Sequence, residues 1–270
     1  MAKKIWRAVW ISDVHLGTSG CKAELLHSFL KAYPSEYLYM VGDIIDGWRL
    51  ATNKWYWPDT HNRVVREVLR KSGKDGTKVY YVTGNHDEFL RDYIADHPFV
   101  MGNISIVDEV FHTTSNGELL WIVHGDAYDG VTRHHRLVTL LGDMGYDFLL
   151  WSNSWFIQLR RLLGLPYWSL SKAIKKKVQG AVSFIYDFEH TIVREALQRG
   201  VKGVVCGHIH HAEKKCIDTI NYYNCGDWVE SCTALVEDEN GELQIIHWAE
   251  NQENYLSVDR KSKESIIVIE

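Results

Sequence analysis

Five short clusters along the chain carry side chains that can hold divalent cations. They are Asp13 and His15 in S-D-V-H, Asp43 in G-D-I-I-D, Asn85 in G-N-H-D, His124 in H-G-D, and His208 and His210 in G-H-I-H. Carboxylates, imidazoles and one amide, with no thiolate among them, suit Mn, Fe or Zn in a catalytic centre better than a cysteine-bound structural site. Asp13 and His15 stand two apart, and on extended backbone both side chains point to one face; His208 and His210 repeat the pattern. Gly42 allows a tight turn before Asp43, whose carboxylate can bridge two cations. Two cations about 3.5–4 Å apart activate water and clamp the attacking and leaving oxygens of an in-line displacement at phosphorus. His86 then stays clear of the metals, beside Asn85, and can protonate or stabilise the leaving oxygen. Asp87 and Asp126 are expected to orient these imidazoles, because such a histidine usually donates its second N–H to an acceptor.

The clusters need elements that bring them to one place. Each follows a short apolar run (IWRAVWI, YLYMV, KVYYV, LLWIV and VKGVVC), and such runs read as buried strands. All five therefore fall where strands end and loops begin, which is where open α/β sheets bind ligands. A single Asp or His after a strand is usually a turn or capping residue; five such clusters in one chain are not. From 1 to 126 strands alternate with helices, expected near 22–32, near 60–72 and just after Asn85. From 201 to 248 come a strand into Gly207 and then IDTIN, YYNCG, CTALVED and LQIIHWA, separated by turn-forming residues. This order predicts an α/β fold of two mixed sheets packed face to face with helices outside.

The series D-x-H, G-D-x-x-D, G-N-H-D, H-G-D, G-H-x-H resembles the calcineurin-like metallophosphoesterase superfamily over roughly residues 5 to 230. The resemblance implies a four-layered α-β-β-α sandwich. It also implies a first metal on Asp13, His15, Asp43 and His210, and a second on Asp43 (bridging), Asn85, His124 and His208. Two divalent ions, Mn(2+) foremost with Fe or Zn as alternatives, are the cofactors expected. The stretches G-D-I-I-D-G-W-R-L and G-N-H-D-E-F-L-R-D-Y are similar to the bacterial UDP-2,3-diacylglucosamine diphosphatase branch, which releases UMP from a diacylated sugar nucleotide in lipid A synthesis. That branch carries G-N-R-D where this chain has His86, the residue usual in the wider superfamily. The expected substrate is therefore a lipid-linked sugar nucleotide. The alternatives are a phosphoesterase acting on another nucleotide, phosphodiester or phosphoprotein, and a catalytically inactive interaction module. An inactive member would usually lack some ligands, and none is missing here.

Residues 127–196, between His124 and His208, read as a helical insertion into a core formed by 1–126 and 197–270. One helical stretch runs Leu137, Leu140, Leu141, Met144, Phe148, Trp151, Trp155, Leu159, Leu162 at spacings of three or four and ends at Gly164 and Pro166. A second begins near Ser169 or Ser171, either a good N-cap, and stops at Gly200. The stretch 127–200 holds ten Lys and Arg against six Asp and Glu, in a chain of net charge −5. Trp155 and Phe184, with other aromatics, exceed what one hairpin seam can hide, so the insertion reads as a lid that accepts acyl chains; the alternative is a helical hairpin that buries its own apolar face and displays its lysines to water. Its basic beginning, Lys172 and Lys175 to Lys177, would meet diphosphate or anionic headgroups; Lys176 is taken as the contact. Arg49, in the aromatic loop with Asn53, Trp55, Tyr56 and Trp57, can hold a phosphate oxygen through its planar fork. Asp129 is a candidate for a sugar hydroxyl.

Composition narrows the setting. Mild negative charge supplies no general field for nucleic acid. The lysines and apolar run at the start lack a cleavage site and lead directly into Asp13, and no stretch reaches the length of a membrane span. Five cysteines without a C-x-x-C pair read as reduced residues. The expected setting is cytoplasmic, with peripheral contact at the inner membrane through the basic insertion.

Overall fold

The computed structural model describes residues 4–52, 56–94, 97–129 and 170–250, with the backbone alone over 170–182. The chain divides into two compact units, Met1–Asp126 with Ile192–Glu270, and Ala127–Thr191.

The apolar runs form strands, and the segments between them supply the crossovers that parallel neighbours require. In chain order these are β1 (Trp6–Ile11), α1 (Ala23–Ala32), β2 (Ser35–Val41), α2 (Gly47–Ala51), α3 (Asp59–Lys74), β3 (Lys78–Val82) and α4 (Arg91–Ile94). Next come β4 (Phe99–Met101), β5 (Ile104–Val107), β6 (Glu109–Thr113) and β7 (Leu119–Val123). After these lie α5 (Leu170–Gln198), β8 (Gly203–Cys206), β9 (Glu213–Ile217), β10 (Ile220–Asn224), β11 (Thr233–Glu237) and β12 (Leu243–His247).

Two mixed sheets result, a seven-stranded one ordered β12-β11-β1-β2-β3-β5-β4 and a five-stranded one ordered β6-β7-β8-β10-β9. β1, β2 and β3 run parallel in the first, as β7, β8 and β10 do in the second. Of these, β1, β2, β3, β7 and β8 are the strands whose ends carry the metal-binding motifs.

Strand alternation sorts the side chains into layers. From β1, Val9 and Ile11 join one core with Leu26, Phe29 and Leu30 of α1 and Val64 and Val68 of α3. Ala8 and Trp10 instead join a second core with Leu120, Ile122, Val205 and Tyr223 of the smaller sheet. Trp121, between Leu120 and Ile122, faces away from that core, and the Arg199 guanidinium lies over its ring at 4.3 Å. Arg199 follows α5 directly, so the end of that helix covers the outer face of the smaller sheet. The layers are thus helix, sheet, sheet, helix. Trp10 is fully buried, and its truncation to Ala would cost about 3–5 kcal/mol.

Polar groups also enter the interior of the described residues. Lys71 of α3 is buried and donates to Tyr33 O at 2.8 Å. Between the sheets, His112 meets Tyr39 Oη at 2.8 Å through Nδ1 and Glu237 Oε2 at 2.7 Å through Nε2.

Several details depart from the expected elements. IDTIN and YYNCG are not two strands: Asp218, at φ +55°, and Thr219 form a hairpin turn inside the first, and Ile220–Asn224 is one strand. Asp tolerates the left-handed conformation this turn needs, but Asp-Thr lacks the glycine that usually marks it. The short strands β4, β5 and β6 and the helix α2 were not expected. Of the insertion, α5 includes the second expected helix and ends at Gln198, two residues before Gly200 at φ +70°. The first expected helix and the residues after 250 lie outside the described residues.

Candidate metal centre

The ligand candidates do not sit on extended backbone. β1 ends at Ile11 and β8 at Cys206, and Asp13, His15, Asp43, His208 and His210 all take positive φ, between 51° and 71°. Such left-handed residues cost about 1–3 kcal/mol each and persist only where surrounding structure holds them. Here the hold is backbone hydrogen bonding: Asp13 N donates to Gly42 O at 3.1 Å and His15 N to Asp43 O at 2.9 Å. The loops after β1 and β2 are therefore locked together, and strand alternation is not what aligns Asp13 with His15. Gly42 itself stands at φ +76°, and a Cβ there would meet His124 Nδ1 at 2.2 Å. A Cβ on Gly84 would meet Asp43 Oδ1 at 2.3 Å. Both glycines are space left for the site.

The larger sheet presents Asp13, His15, Asp43 and Asn85, and the smaller presents His124, His208 and His210. His15 and His124 close on Asp43, and His210 closes on Asp13. His124 Nε2 lies 3.4 Å from Asp43 Oδ2, and His15 Nε2 and His86 Nε2 each lie 3.9 Å from it. His210 Nε2 is 3.2 Å from Asp13 Oδ1, and the His208 and His124 rings meet edge to face at 5.2 Å. His124 Nδ1 donates to Val41 O at 2.9 Å, which fixes the tautomer that turns Nε2 towards Asp43. Three sets of donors lie within 4.8 Å of one another: Asp13, His15 and His210; His15, Asp43 and His86; and Asp13, Asp43 and His124. His15 Nε2, Asn85 Oδ1 and His124 Nε2 are buried without a hydrogen-bond partner. Buried polar atoms are nearly always satisfied, and orphans converging on shared carboxylates fit divalent cations.

The electrostatics describe the same strain. Burial opposes charge on Asp43, yet the neighbouring His124, His86 and His15 hold its carboxyl well below the usual range. Burial likewise opposes charge on Asp13, and His210 and His124 outweigh it and lower its pKa. His124 answers in the opposite sense: burial disfavours its charged form, but Asp43 and Asp13 push its pKa well up. His210 is pushed up to about 9, with Asp13 overcoming the effect of burial.

His86 points into the cluster rather than standing apart from it. Its Nδ1 lies 3.1 Å from Asp46 Oδ2, its ring meets His15 edge to face at 4.6 Å, and Trp48 covers it at 4.1 Å. Its backbone N donates to Asp43 Oδ1 at 2.8 Å. Burial lowers its pKa, but Asp46 and Asp43 outweigh that and raise it. Asp87 does not orient an imidazole: its Oδ2 accepts from Ile44 N at 2.9 Å and Tyr81 Oη at 2.7 Å, and its Oδ1 from Gly84 N. It pins the G-N-H-D loop to the loop after β2. Asp126 takes the Arg91 guanidinium in two hydrogen bonds of 2.9 and 3.0 Å.

Two residues of the site carried no assignment from sequence, Asp46 and Trp48. The signal for Asp46 was the second carboxylate of G-D-I-I-D. Of the substrate candidates, Arg49 is exposed on α2 and Asp129 is buried just past Asp126–Tyr128. Phe184 is half-buried on α5, Lys176 belongs to that helix's backbone trace, and Trp155 lies outside the described residues. Trp57, in the aromatic loop, packs edge to face on buried His61 and donates from Nε1 to Asn62.

A layered α/β sandwich with this donor set at its strand ends defines a metallophosphoesterase. Residues 7–212 match the calcineurin-like phosphoesterase family, and the chain belongs to it. It is a metal-dependent hydrolase. The chain is 24% identical over 251 residues to a UDP-2,3-diacylglucosamine hydrolase of Pseudomonas aeruginosa, covering 87% of this chain and 97% of that one. A second UDP-2,3-diacylglucosamine hydrolase, from Aliivibrio fischeri, is 23% identical over 213 residues, 76% of this chain and 82% of that protein. Among solved structures, an archaeal phosphodiesterase matches over 88% of this chain and 98% of its own at 14% identity, with a TM-score of 0.42.

Proposed function

We propose that this protein hydrolyses the pyrophosphate of a UDP-linked, acylated glucosamine, UDP-2,3-diacylglucosamine, to lipid X and UMP, a step of lipid A synthesis. The observation that carries this reading is the similarity to UDP-2,3-diacylglucosamine hydrolases, which extends over 97% of the Pseudomonas protein. Asp13, His15, Asp43 and His210 would hold one divalent ion, and Asp43, Asn85, His124 and His208 a second, with Mn(2+) the preferred metal. When bound, such a pair supplies Lewis acidity and a water of lowered pKa.

The chain's own residues do the rest. The Asp46 carboxylate stands 3.1 Å from His86 Nδ1 and favours the charged imidazole, and Nε2, directed at the centre, can hold a proton for the leaving phosphate oxygen. Asp87 keeps the His86 loop in register with Asp43. Arg49 and Asp129 are assigned to phosphate and sugar, and the insertion, through Trp155, Lys176 and Phe184, to the acyl chains and the membrane face. Among the described residues no helix is long and apolar enough to cross a membrane. His86 at the position of the branch's arginine favours a second reading, a phosphoesterase for a different nucleotide or phosphodiester, because an imidazole offers a diphosphate fewer fixed donors than a guanidinium.

One assay separates the two. Rates of UMP release are compared for UDP-2,3-diacylglucosamine and UDP-glucosamine with metal-loaded protein. Each buried methylene contributes about 0.8 kcal/mol, so a few ordered carbons give at least about a hundredfold preference for the acylated substrate. Trp155→Asp or Phe184→Asp should erode the preference while hydrolysis of a small chromogenic ester stays nearly unchanged. Equal rates on both sugar nucleotides would reject the acylated substrate and leave the second reading.

A further inference from the structure

We infer that Asn224 and Ser12 are positioning residues of the metal centre, acting together as a joint that holds the two sheets' ligand loops in register. The inference rests on Asp13, His208 and His210 being ligands, and it concerns residues that touch no ligand position themselves.

The centre is assembled from two separate sheets, so its geometry depends on what fixes one sheet's loops against the other's. The loop after β10, Cys225 to Trp228, offers no candidate ligand in either metal set, yet it lies between the two halves and is bonded to both. On one side Ser12 Oγ donates to Gly226 O at 2.8 Å, and Trp228 N donates to Asp13 O at 3.0 Å. On the other side Asn224 Nδ2 donates to Gly207 O at 2.8 Å, and Cys225 N donates to Cys206 O at 2.9 Å. Asn224 closes the joint by accepting from Gly226 N through Oδ1 at 3.0 Å. Gly226 is thus held by Ser12 at its carbonyl and by Asn224 at its amide.

The two ligand loops touch within this frame. His208 N donates to Asp13 Oδ2 at 3.0 Å, and a Cβ on Gly207 would meet that same oxygen at 2.4 Å. Gly207 N in turn donates to His124 O at 3.1 Å. One residue, Gly207, therefore connects His124, His208 and Asp13, and Asn224 holds its carbonyl. Ser12 and Asn224 are both fully buried. Their polar atoms serve the joint. Hydrogen-bond partners behind metal ligands typically change affinity about 10–100-fold when removed.

The test measures metal binding directly. Stripped wild-type protein, Asn224→Leu, Ser12→Ala and Ser12→Thr are titrated with Mn(2+) against a chelating indicator, and the Co(2+)-loaded forms are compared by visible absorption. Asn224→Leu and Ser12→Ala should weaken metal binding about 10–100-fold and alter the Co(2+) spectrum. Ser12→Thr, which restores the hydroxyl, should behave as wild type. The Ser12→Ala, Asn224→Leu double variant should lose less than the product of the two single losses, because both act on Gly226. Wild-type affinity and spectrum in Asn224→Leu would overturn the inference. So would equal behaviour of Ser12→Ala and Ser12→Thr, which remains decisive if the Asn224 variant does not fold. Wild-type protein that takes up no metal would overturn the ligand assignment, and the role of the joint with it.

Discussion

Asp46 Oδ2 lies 3.1 Å from His86 Nδ1 and, from the same atom, 3.2 Å from His15 Nδ1. One carboxylate oxygen thus aligns the candidate proton donor and a candidate metal ligand. Asp46 is itself fixed as the cap of α2, its other oxygen accepting from Arg49 N at 2.8 Å. Burial opposes its charge, but the contacts with His15 and His86 hold it well below the usual carboxylate range. Asp46→Asn keeps an acceptor for the cap while removing the charge, and should lower kcat about 10–100-fold on a small phosphodiester. Asp46→Ala should cost more and loosen α2 as well, by about 1 kcal/mol for the lost cap. Steady-state kinetics of the two variants check this; unchanged kcat in Asp46→Asn would show that His86 does not need its partner.

His86 and Asp43 should separate chemistry from metal binding. His86→Ala should slow turnover about 10²–10⁴-fold, the usual contribution of a general acid, while metal content per chain stays at the wild-type level. Asp43→Ala should lose both. Metal analysis alongside bis-p-nitrophenyl phosphate hydrolysis reads the two effects. Loss of metal in His86→Ala would make His86 a ligand, as its place among the His15 and Asp43 donors allows.

Metal uptake should release protons. With its pKa raised from its ordinary 6.5 to about 9 by Asp13, His210 carries a proton at neutral pH in the stripped protein, and it must lose that proton to ligate. Apparent metal affinity should therefore rise between pH 7 and 9 and level off above. In the stripped protein the same shift contributes stability that is complete below about pH 6.5 and lost as pH rises through about 9. Calorimetric titrations in buffers of different ionisation enthalpy count the protons; affinity independent of pH from 7 to 9 would show that His210 holds no proton to release in that range.

Much of this was legible in the sequence, because it follows from local rules. Strand runs ending in Asp, His and Asn located all five loops, and alternating βα units followed by a β-rich end foretold two mixed sheets with helices outside. What escaped depends on contacts between distant segments. The left-handed backbone at Asp13 and His15 follows from hydrogen bonds to the loop after β2, not from the spacing of the two residues. Asp87 looked like a partner for an imidazole, yet three donors from Ile44, Tyr81 and Gly84 occupy it. Asp218-Thr219 escaped as a turn because its left-handed residue is not glycine.

The pairing of His112 with Glu237 joins the two sheets where nearly everything else is apolar. Glu237 is fully buried, and its Oε1 also accepts from Ser115 N at 2.7 Å. Glu237→Ala would leave both donors unpaired and should destabilise the fold by about 3–5 kcal/mol. Urea denaturation monitored by tryptophan fluorescence measures it, and a loss under about 1 kcal/mol would mean the sheets do not depend on this contact.

The central claim is that the donor set around Asp43 holds two divalent ions and that hydrolysis depends on both. Stripped protein titrated with Mn(2+), with activity on bis-p-nitrophenyl phosphate and bound metal followed together, tests it most directly. Activity should be absent without metal, rise as metal is added and saturate at two ions per chain, and Asp43→Ala should show no activity at any metal concentration. Activity that survives complete stripping, saturates at one ion, or persists in Asp43→Ala would contradict the account.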